Sequence, residues 1–323
     1  MSVHGPDPRL AAAVFHAAIE RMAADPPPLG LTVEPDALPA GTITPEGLGG
    51  ERAMALLQEV LLPATTAIDH PRYLAFIPGA PTAASSLMDL LVSVHAIYGG
   101  SWLESAGATH AENEALRWLA DLAGFPAGAG GCFVQGGTNG NLSALHAARE
   151  RARHGGSTAT RVAVSEEVHS SVRSMLRVMD AGTLEVPGAR LTGAALRGAL
   201  EDDVFAVVAT AGTTNLGTID DLAGVAEVCG ERGLWMHVDG AYGLGALCAP
   251  SVRDRFAGIE RADSFIVDPH KWLFSPFDSC ALVYREPEYG RAAHRQHAGY
   301  LESLYEDDTH FNASDYGVQL TRR

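Results

Sequence analysis

Two polar residues in apolar settings, Lys271 and Asp239, are the residues of this chain best suited to chemistry. Lys271 stands in S-F-I-V-D-P-H-K-W-L-F-S-P-F-D-S-C (264–280), between Phe265-Ile266-Val267 and the equally apolar Trp272-Leu273-Phe274. The first triplet reads as a short buried strand and Asp268-Pro269 as the turn after it. An amine desolvated at a strand end suits Schiff-base chemistry with a carbonyl, because the free amine and not the ammonium is the nucleophile. Lysines with apolar neighbours also occur on surfaces, their stems laid along the neighbours, so a second group has to decide. That group is Asp239, which ends the strand-like stretch L-W-M-H-V-D before G-A-Y-G. In an open α/β sheet, ligands sit beyond the carboxyl ends of the strands.

A carboxylate facing a lysine from another strand end fits pyridoxal phosphate (PLP): the lysine bonds the aldehyde and the carboxylate keeps the pyridine nitrogen protonated. H-V-D-G-A-Y-G followed by D-P-H-K-W-L resembles the group II PLP-dependent amino-acid decarboxylases, the aromatic-L-amino-acid decarboxylases in particular. The resemblance runs from about residue 71 to the last residue. It implies an α/β fold, the aspartate-aminotransferase-like large domain of PLP fold type I, with a mostly parallel sheet flanked by helices. The activity it implies is decarboxylation of an L-amino acid, an aromatic one, to the amine and CO2 through a Lys271 Schiff base, in a homodimer.

The elements that must position these groups follow in chain order. Apolar periodicity predicts helices over 8–24, stopped by Pro26-Pro27-Pro28, and over 51–62 before Pro63. By resemblance, residues 1–66 form an N-terminal helical extension that packs across a dimer partner, and 67–323 the PLP-binding domain. In P-R-Y-L-A-F-I-P-G (71–79), Phe76, Ile77 and Pro78 take the place of the family's substrate-pocket segment; from the residues alone the triplet reads equally as core. Helices follow over 82–96 and 109–124.

Cys132-Phe133-Val134 reads as a strand that ends at Q-G-G-T-N-G-N (135–141), with a helix over 142–153. A glycine-rich turn opening a helix presents unpaired N–H groups and the positive dipole end to a phosphate. The turn lacks G-x-G-x-x-G and the Walker lysine, so the phosphate role of Gly137 and Thr138 rests on the resemblance. The same holds for His169, after the strand 161–165: by itself a cap or surface group, by resemblance the imidazole that stacks on the PLP ring opposite Ala241. Thr214, beyond the strand 204–209, matches a cofactor-side threonine. Asp220-Asp221 caps a helix to residue 231, and strand, helix and strand with short links imply parallel pairing. A further strand spans 281–284.

His270 and Asp268 complete the implied cofactor contacts. Asp268 stands where the family carries an asparagine near the phosphate, and a carboxylate there repels a phosphate unless neutralised or turned away. Beyond Glu286 the chain is polar and poor in periodic apolar residues. By resemblance it is a mobile loop over the site. Tyr300 lies 29 residues after Lys271 (300 minus 271), as the family's loop tyrosine does, and is expected to protonate the substrate carbon.

A hydrophobic content of 46% with 35 glycines and 18 prolines fits a large α/β core with many turns. A net charge of -16, from 23 basic and 39 acidic residues, with no Lys/Arg-rich run, argues against nucleic acid and anionic membranes as partners. The partner expected is a small-molecule amino acid. Cys132, Cys229, Cys248 and Cys280 show no C-x-x-C spacing and lie in core-like contexts, as reduced thiols would, and no metal site is expected. No signal pattern and no apolar run of about 18 residues is present, which reads as soluble and cytoplasmic. The final Q-L-T-R-R resembles the start of the connection to the family's small C-terminal domain, which is expected to be absent. Two alternatives stay open: a non-catalytic remnant of the PLP fold, and a decarboxylase of a short acidic or diamino substrate. D-P-H-K-W and the His169 segment argue against an aminotransferase or a cysteine desulfurase.

Overall fold

The computed structural model describes residues 7–29, 33–76, 79–304 and 311–322; the side chain of Tyr300 is outside that description. The chain divides into two compact units, residues 1–83 and 84–323.

In the first unit, Asp7 caps the helix Pro8–Ala23 by accepting from the Arg9 and Leu10 amides at 2.9 and 3.3 Å. A second helix, Gly50–Leu56, runs on into a π turn, Leu57–Leu61. None of the described residues in these elements is buried, and Phe15 and Ile19 are exposed.

In the second unit β1 (Gly130–Val134), β2 (Arg161–Ser165), β3 (Gly182–Val186), β4 (Val204–Thr210), β5 (Trp235–Asp239), β6 (Ser264–Val267) and β7 (Cys280–Tyr284) form one sheet in the order β1-β7-β6-β5-β4-β2-β3. β7 is antiparallel to both its neighbours, and all other pairs are parallel. The carboxyl ends of the other six strands therefore share one edge of the sheet with the start of β7.

Side chains alternate between the two faces of a strand, and two cores result. Met236, Val238, Phe265, Val267, Ala281 and Val283 join the core under the helices Trp102–Leu122 and Leu222–Arg232. Trp235, Ile266, Leu282 and Tyr284 join the opposite core, with Ala144, Leu145, Ala147 and Ala148 of the helix Gly136–His154. The expected β4, helix, β5 unit is present: Asp221 caps the helix at the Gly224 amide (3.1 Å), and Gly233, at φ +67°, ends it in the left-handed conformation.

Several expectations need correction. The helix after the glycine-rich turn begins at Gly136, not 142, so the turn is its first turn. The segment after Glu286, read as loop, opens with the helix Pro287–His294, started by Pro287 and packed so closely on β7 that a Cβ on Gly290 would lie 2.7 Å from the Tyr284 ring. β3 and the helix Gly193–Ala199 were not foreseen; the strand has five residues and the helix seven. Cys248 is exposed, whereas Cys132, Cys229 and Cys280 are buried.

Candidate active site

Lys271 sits on the single helical turn Pro269–Trp272 after β6. Its Nζ lies 3.0 Å from Asp268 Oδ2; the lysine side chain is 19% exposed and that of Asp268 2%. The Asp268 amide donates to the Ala241 carbonyl (2.9 Å), which ties this turn to the one after β5. Tyr242 stacks on Trp272 across the same junction, with centroids 5.0 Å apart. His270 Nδ1 lies 2.6 Å from the Ser279 carbonyl oxygen and 3.0 Å from the Ser279 amide nitrogen, which anchors the lysine turn to the start of β7.

Asp239 ends β5, opposite Ile266 in register. Its Oδ1 accepts from the Ala241 amide (3.2 Å) and its Oδ2 from the Asn141 side-chain amide (3.0 Å). Asn141 Oδ1 in turn faces His237 Nε2 at 2.9 Å, His237 Nδ1 faces Ser264 Oγ at 2.8 Å, and the Trp235 indole donates to that hydroxyl at 2.9 Å. Burial pushes the His237 imidazole down to about 4, with Asp239 opposing. One buried thiol registers the whole arrangement. Cys280 is pushed well above its usual value by burial first, then by Asp268 and Asp239, while Lys271 pulls it down.

The glycine-rich turn lies on the same edge. Gln135, the N-cap of the helix Gly136–His154, makes no side-chain cap bond, so the first-turn amides lack partners within the helix. Gly136 has φ +76°, and a Cβ on Gly137 would lie 3.2 Å from Asp268 Oδ2. The turn thus rests directly on the carboxylate that Lys271 neutralises. Among the described residues, buried side-chain oxygens without a partner include Gln135 Oε1, Ser165 Oγ, Thr210 Oγ1 and Asp268 Oδ1. They stand at the carboxyl ends of β1, β2, β4 and β6. Unmatched buried polar atoms gathered at one sheet edge mark a ligand site, and amine, carboxylate and open helix start are the donor set a phosphorylated pyridine aldehyde would use.

His169 caps the helix Ser170–Val178 and is exposed; its Nδ1 lies 3.2 Å from the Ser171 amide and 2.8 Å from Ser171 Oγ. Asn141 reaches that hydroxyl at 3.3 Å, which links His169 to Asp239. Thr214 is exposed in the turn closed by the Gly217 amide on the Thr213 carbonyl (2.8 Å). Phe76 is exposed and belongs to the first unit, and Ile77 and Pro78 lie outside the described residues. Tyr300 falls in the helical turn Gly299–Leu304. A cavity of about 570 Å³ beside Gln135 is lined by Phe133, Phe277, Ser279, Glu112 and Arg322, and includes neither Lys271 nor Asp239.

Asn141, His237, Ser264 and Ser171 were given no role from the sequence. The signal for His237 was present: in W-M-H-V-D, residues 235, 237 and 239 share one strand face. Nothing local told that Asn141 would meet them.

Residues 51–323 match the family described as "Pyridoxal-dependent decarboxylase conserved domain". The chain is 33% identical over 271 residues to an aromatic-L-amino-acid decarboxylase of Bacillus atrophaeus, covering 80% of this chain and 56% of the relative. It is 34% identical over 296 residues to an L-2,4-diaminobutyrate decarboxylase of Rhizobium meliloti (strain 1021), covering 86% and 58%. It thus spans a little over half the length of these relatives. Among solved structures, Oryza sativa TDC with PLP and tryptamine superposes with a TM-score of 0.89 at 26% identity, over 100% of this chain and 73% of that one. The expected fold type is the one observed, and the chain belongs to the pyridoxal-dependent decarboxylase family.

Proposed function

We propose that this chain binds PLP and catalyses the loss of CO2 from an L-amino acid, an aromatic one by preference, as one subunit of a homodimer. The observation that carries the reading is the pairing of Lys271 and Asp239 at the carboxyl ends of adjacent strands, both within electrostatic reach of Cys280. PLP, when bound, supplies a sink for the electron pair left when the carboxylate departs. Lys271 would hold the aldehyde, and Asp239 would accept from the ring N–H. The Gly137 and Thr138 amides and the Thr138 hydroxyl would take the phosphate. His169 and Ala241 would flank the ring, with Thr214 on the cofactor side, and Asp268 and His270 would brace the lysine turn. Phe76, Ile77 and Pro78 would contact the substrate side chain, and Tyr300 would donate the proton that replaces CO2 on the α-carbon. The exposed apolar residues of the helix Pro8–Ala23, Phe15 and Ile19 among them, are the surface offered to the partner copy.

A diamino acid is the second reading, favoured by the 34% identity to the diaminobutyrate decarboxylase. Incubating the chain with PLP and a panel of L-amino acids, and following both CO2 and amine, separates the two. Fastest turnover of tryptophan, tyrosine or dopa is expected; preference for 2,4-diaminobutyrate selects the second reading, and no CO2 from any substrate contradicts both. Tyr300→Phe is expected to keep releasing CO2 from the substrate while its amine yield falls, and an unchanged amine yield removes Tyr300 from the reaction.

A further inference from the structure

We propose that Asn141 is a positioning residue, the last member of a one-way hydrogen-bond chain from Trp235 through Ser264 and His237, and that its amide holds Asp239 in place for the cofactor's ring nitrogen. The sequence places the members. Trp235, His237 and Asp239 alternate onto the face of β5 that looks toward the helix Gly136–His154, and His237 stands opposite Ser264 of β6 in the parallel register. Asn141 enters that face from the helix. All five side chains are buried, His237 and Ser264 completely.

The direction of the chain follows from its two ends. An indole N–H can only donate, and a carboxylate can only accept. If His237 carried its proton on Nδ1, the bare Nε2 would face Asn141 Oδ1, acceptor against acceptor. Turning the Asn141 amide round would cure that contact and aim its oxygen at Asp239 instead. One arrangement satisfies every member: Trp235 Nε1–H donates to Ser264, Ser264 O–H to His237 Nδ1, His237 Nε2–H to Asn141 Oδ1, and Asn141 Nδ2–H to Asp239 Oδ2. Burial pushes His237 down to about 4, so the neutral ring that this arrangement needs is the form present near neutral pH. The second Asn141 N–H points to Ser171 Oγ, whose own proton is then directed to His169 Nδ1. The Ser171 amide faces the same nitrogen, so the His169 proton resides on Nε2. A single asparagine thereby sets both the carboxylate and the tautomer of the histidine proposed to flank the ring.

Only the role toward the ring nitrogen rests on the cofactor reading of the preceding section; the direction of the chain does not. The test is therefore done first without cofactor. In the full chain labelled with ¹⁵N-histidine at pH 7, two-bond ¹⁵N–¹H correlation spectra are expected to show His237 protonated on Nε2 alone. A His237 protonated on Nδ1, or on both nitrogens, overturns the direction. Asn141→Leu removes the Nε2 acceptor. A buried orphan N–H is harder to sustain than a bare acceptor, so the His237 proton is expected to move to Nδ1 and on to Ser264. PLP affinity, read from absorbance titration, is expected to weaken about tenfold, as for loss of one charge-assisted hydrogen bond. An unmoved proton overturns the chain, and a moved proton with unchanged PLP affinity overturns the positioning role. Ser264→Ala is the second variant, needed if Asn141→Leu does not fold. It keeps Asn141, so His237 should stay protonated on Nε2, and a switch to Nδ1 contradicts the account. A wild-type chain with the expected tautomer that takes up no PLP supports the chain and overturns the cofactor assignment instead.

Discussion

The ends of β5 and β6 carry the two halves of the proposed site and are built differently. At β5 the carboxylate is held on both oxygens, by the Ala241 amide and by Asn141, and every group behind it lies on a strand or helix. At β6 the lysine and its aspartate lie on a single helical turn, and Asp268 Oδ1 and nearby Ser275 Oγ are buried without a partner among the described residues. Groups fixed by register cannot shift without breaking the sheet, whereas groups on a turn are held by fewer contacts. The Asp239 side is thus preorganised by the fold, whereas the Lys271 side keeps buried oxygens that, in the proposed reading, a ligand would complete.

The largest expected effect comes from removing the preorganised half. Asp239→Ala should depress kcat by at least about 100-fold, the scale of losing one built electrostatic group, while PLP loading changes far less. Near-normal turnover at saturating PLP would show that the carboxylate is not the partner of the ring nitrogen. Asp268→Asn probes the other half. Removing a negative charge beside Gly137 should favour PLP over pyridoxal, which lacks the phosphate, by about tenfold relative to wild type. An unchanged PLP-to-pyridoxal affinity ratio would place the phosphate away from this turn.

An effect on stability, with none on PLP binding at pH 7, separates burial from membership of the site. His294 is a second buried histidine, held by donation from Nε2 to the Ser143 carbonyl (3.0 Å) and pushed down to about 4 by burial, with His146 adding to the shift. A folded value below the unfolded one of about 6.5 means that the unfolded chain takes up the proton first. Wild type should therefore lose stability relative to His294→Gln as pH falls from about 6.5 to about 4, by on the order of 3 kcal/mol in all. The difference should be flat above that window, and PLP binding at pH 7 unaffected. Denaturant melts of both proteins across this pH range check it; a pH-independent difference would mean that His294 is not buried neutral.

Much of this was legible in the sequence where one residue type does one job. Lys271 after an apolar triplet, Asp239 at the end of W-M-H-V-D, and glycines opening a helix each announce a strand end. The Asn141 contacts were not legible, because they join residues from three elements whose spatial order, β1-β7-β6-β5, does not follow the chain. The helix Pro287–His294 was missed because its packed face is short: of its apolar residues only Tyr289 and Ala293 lie against the core, beside the close backbone approach at Gly290. Conversely, the helix Ala83–Val94, expected over 82–96 from the apolar periodicity of Leu87, Leu90, Leu91 and Val94, leaves Leu87, Leu91 and Val94 exposed and Leu90 only partly buried, so periodicity identified the helix without showing what covers it.

The central claim is that Lys271 is the residue that bonds the cofactor aldehyde. Reduction of the PLP-treated chain with borohydride, followed by peptide mapping, tests it most directly. The account predicts a pyridoxyl group fixed on the peptide containing Lys271 and none on Lys271→Ala treated alike. Lys271 is the only lysine of the sequence, so the N-terminal amine is the only other primary amine able to form the adduct; a pyridoxyl group on the N-terminal peptide, or no fixed pyridoxyl group at all from chain that has taken up PLP, would contradict it.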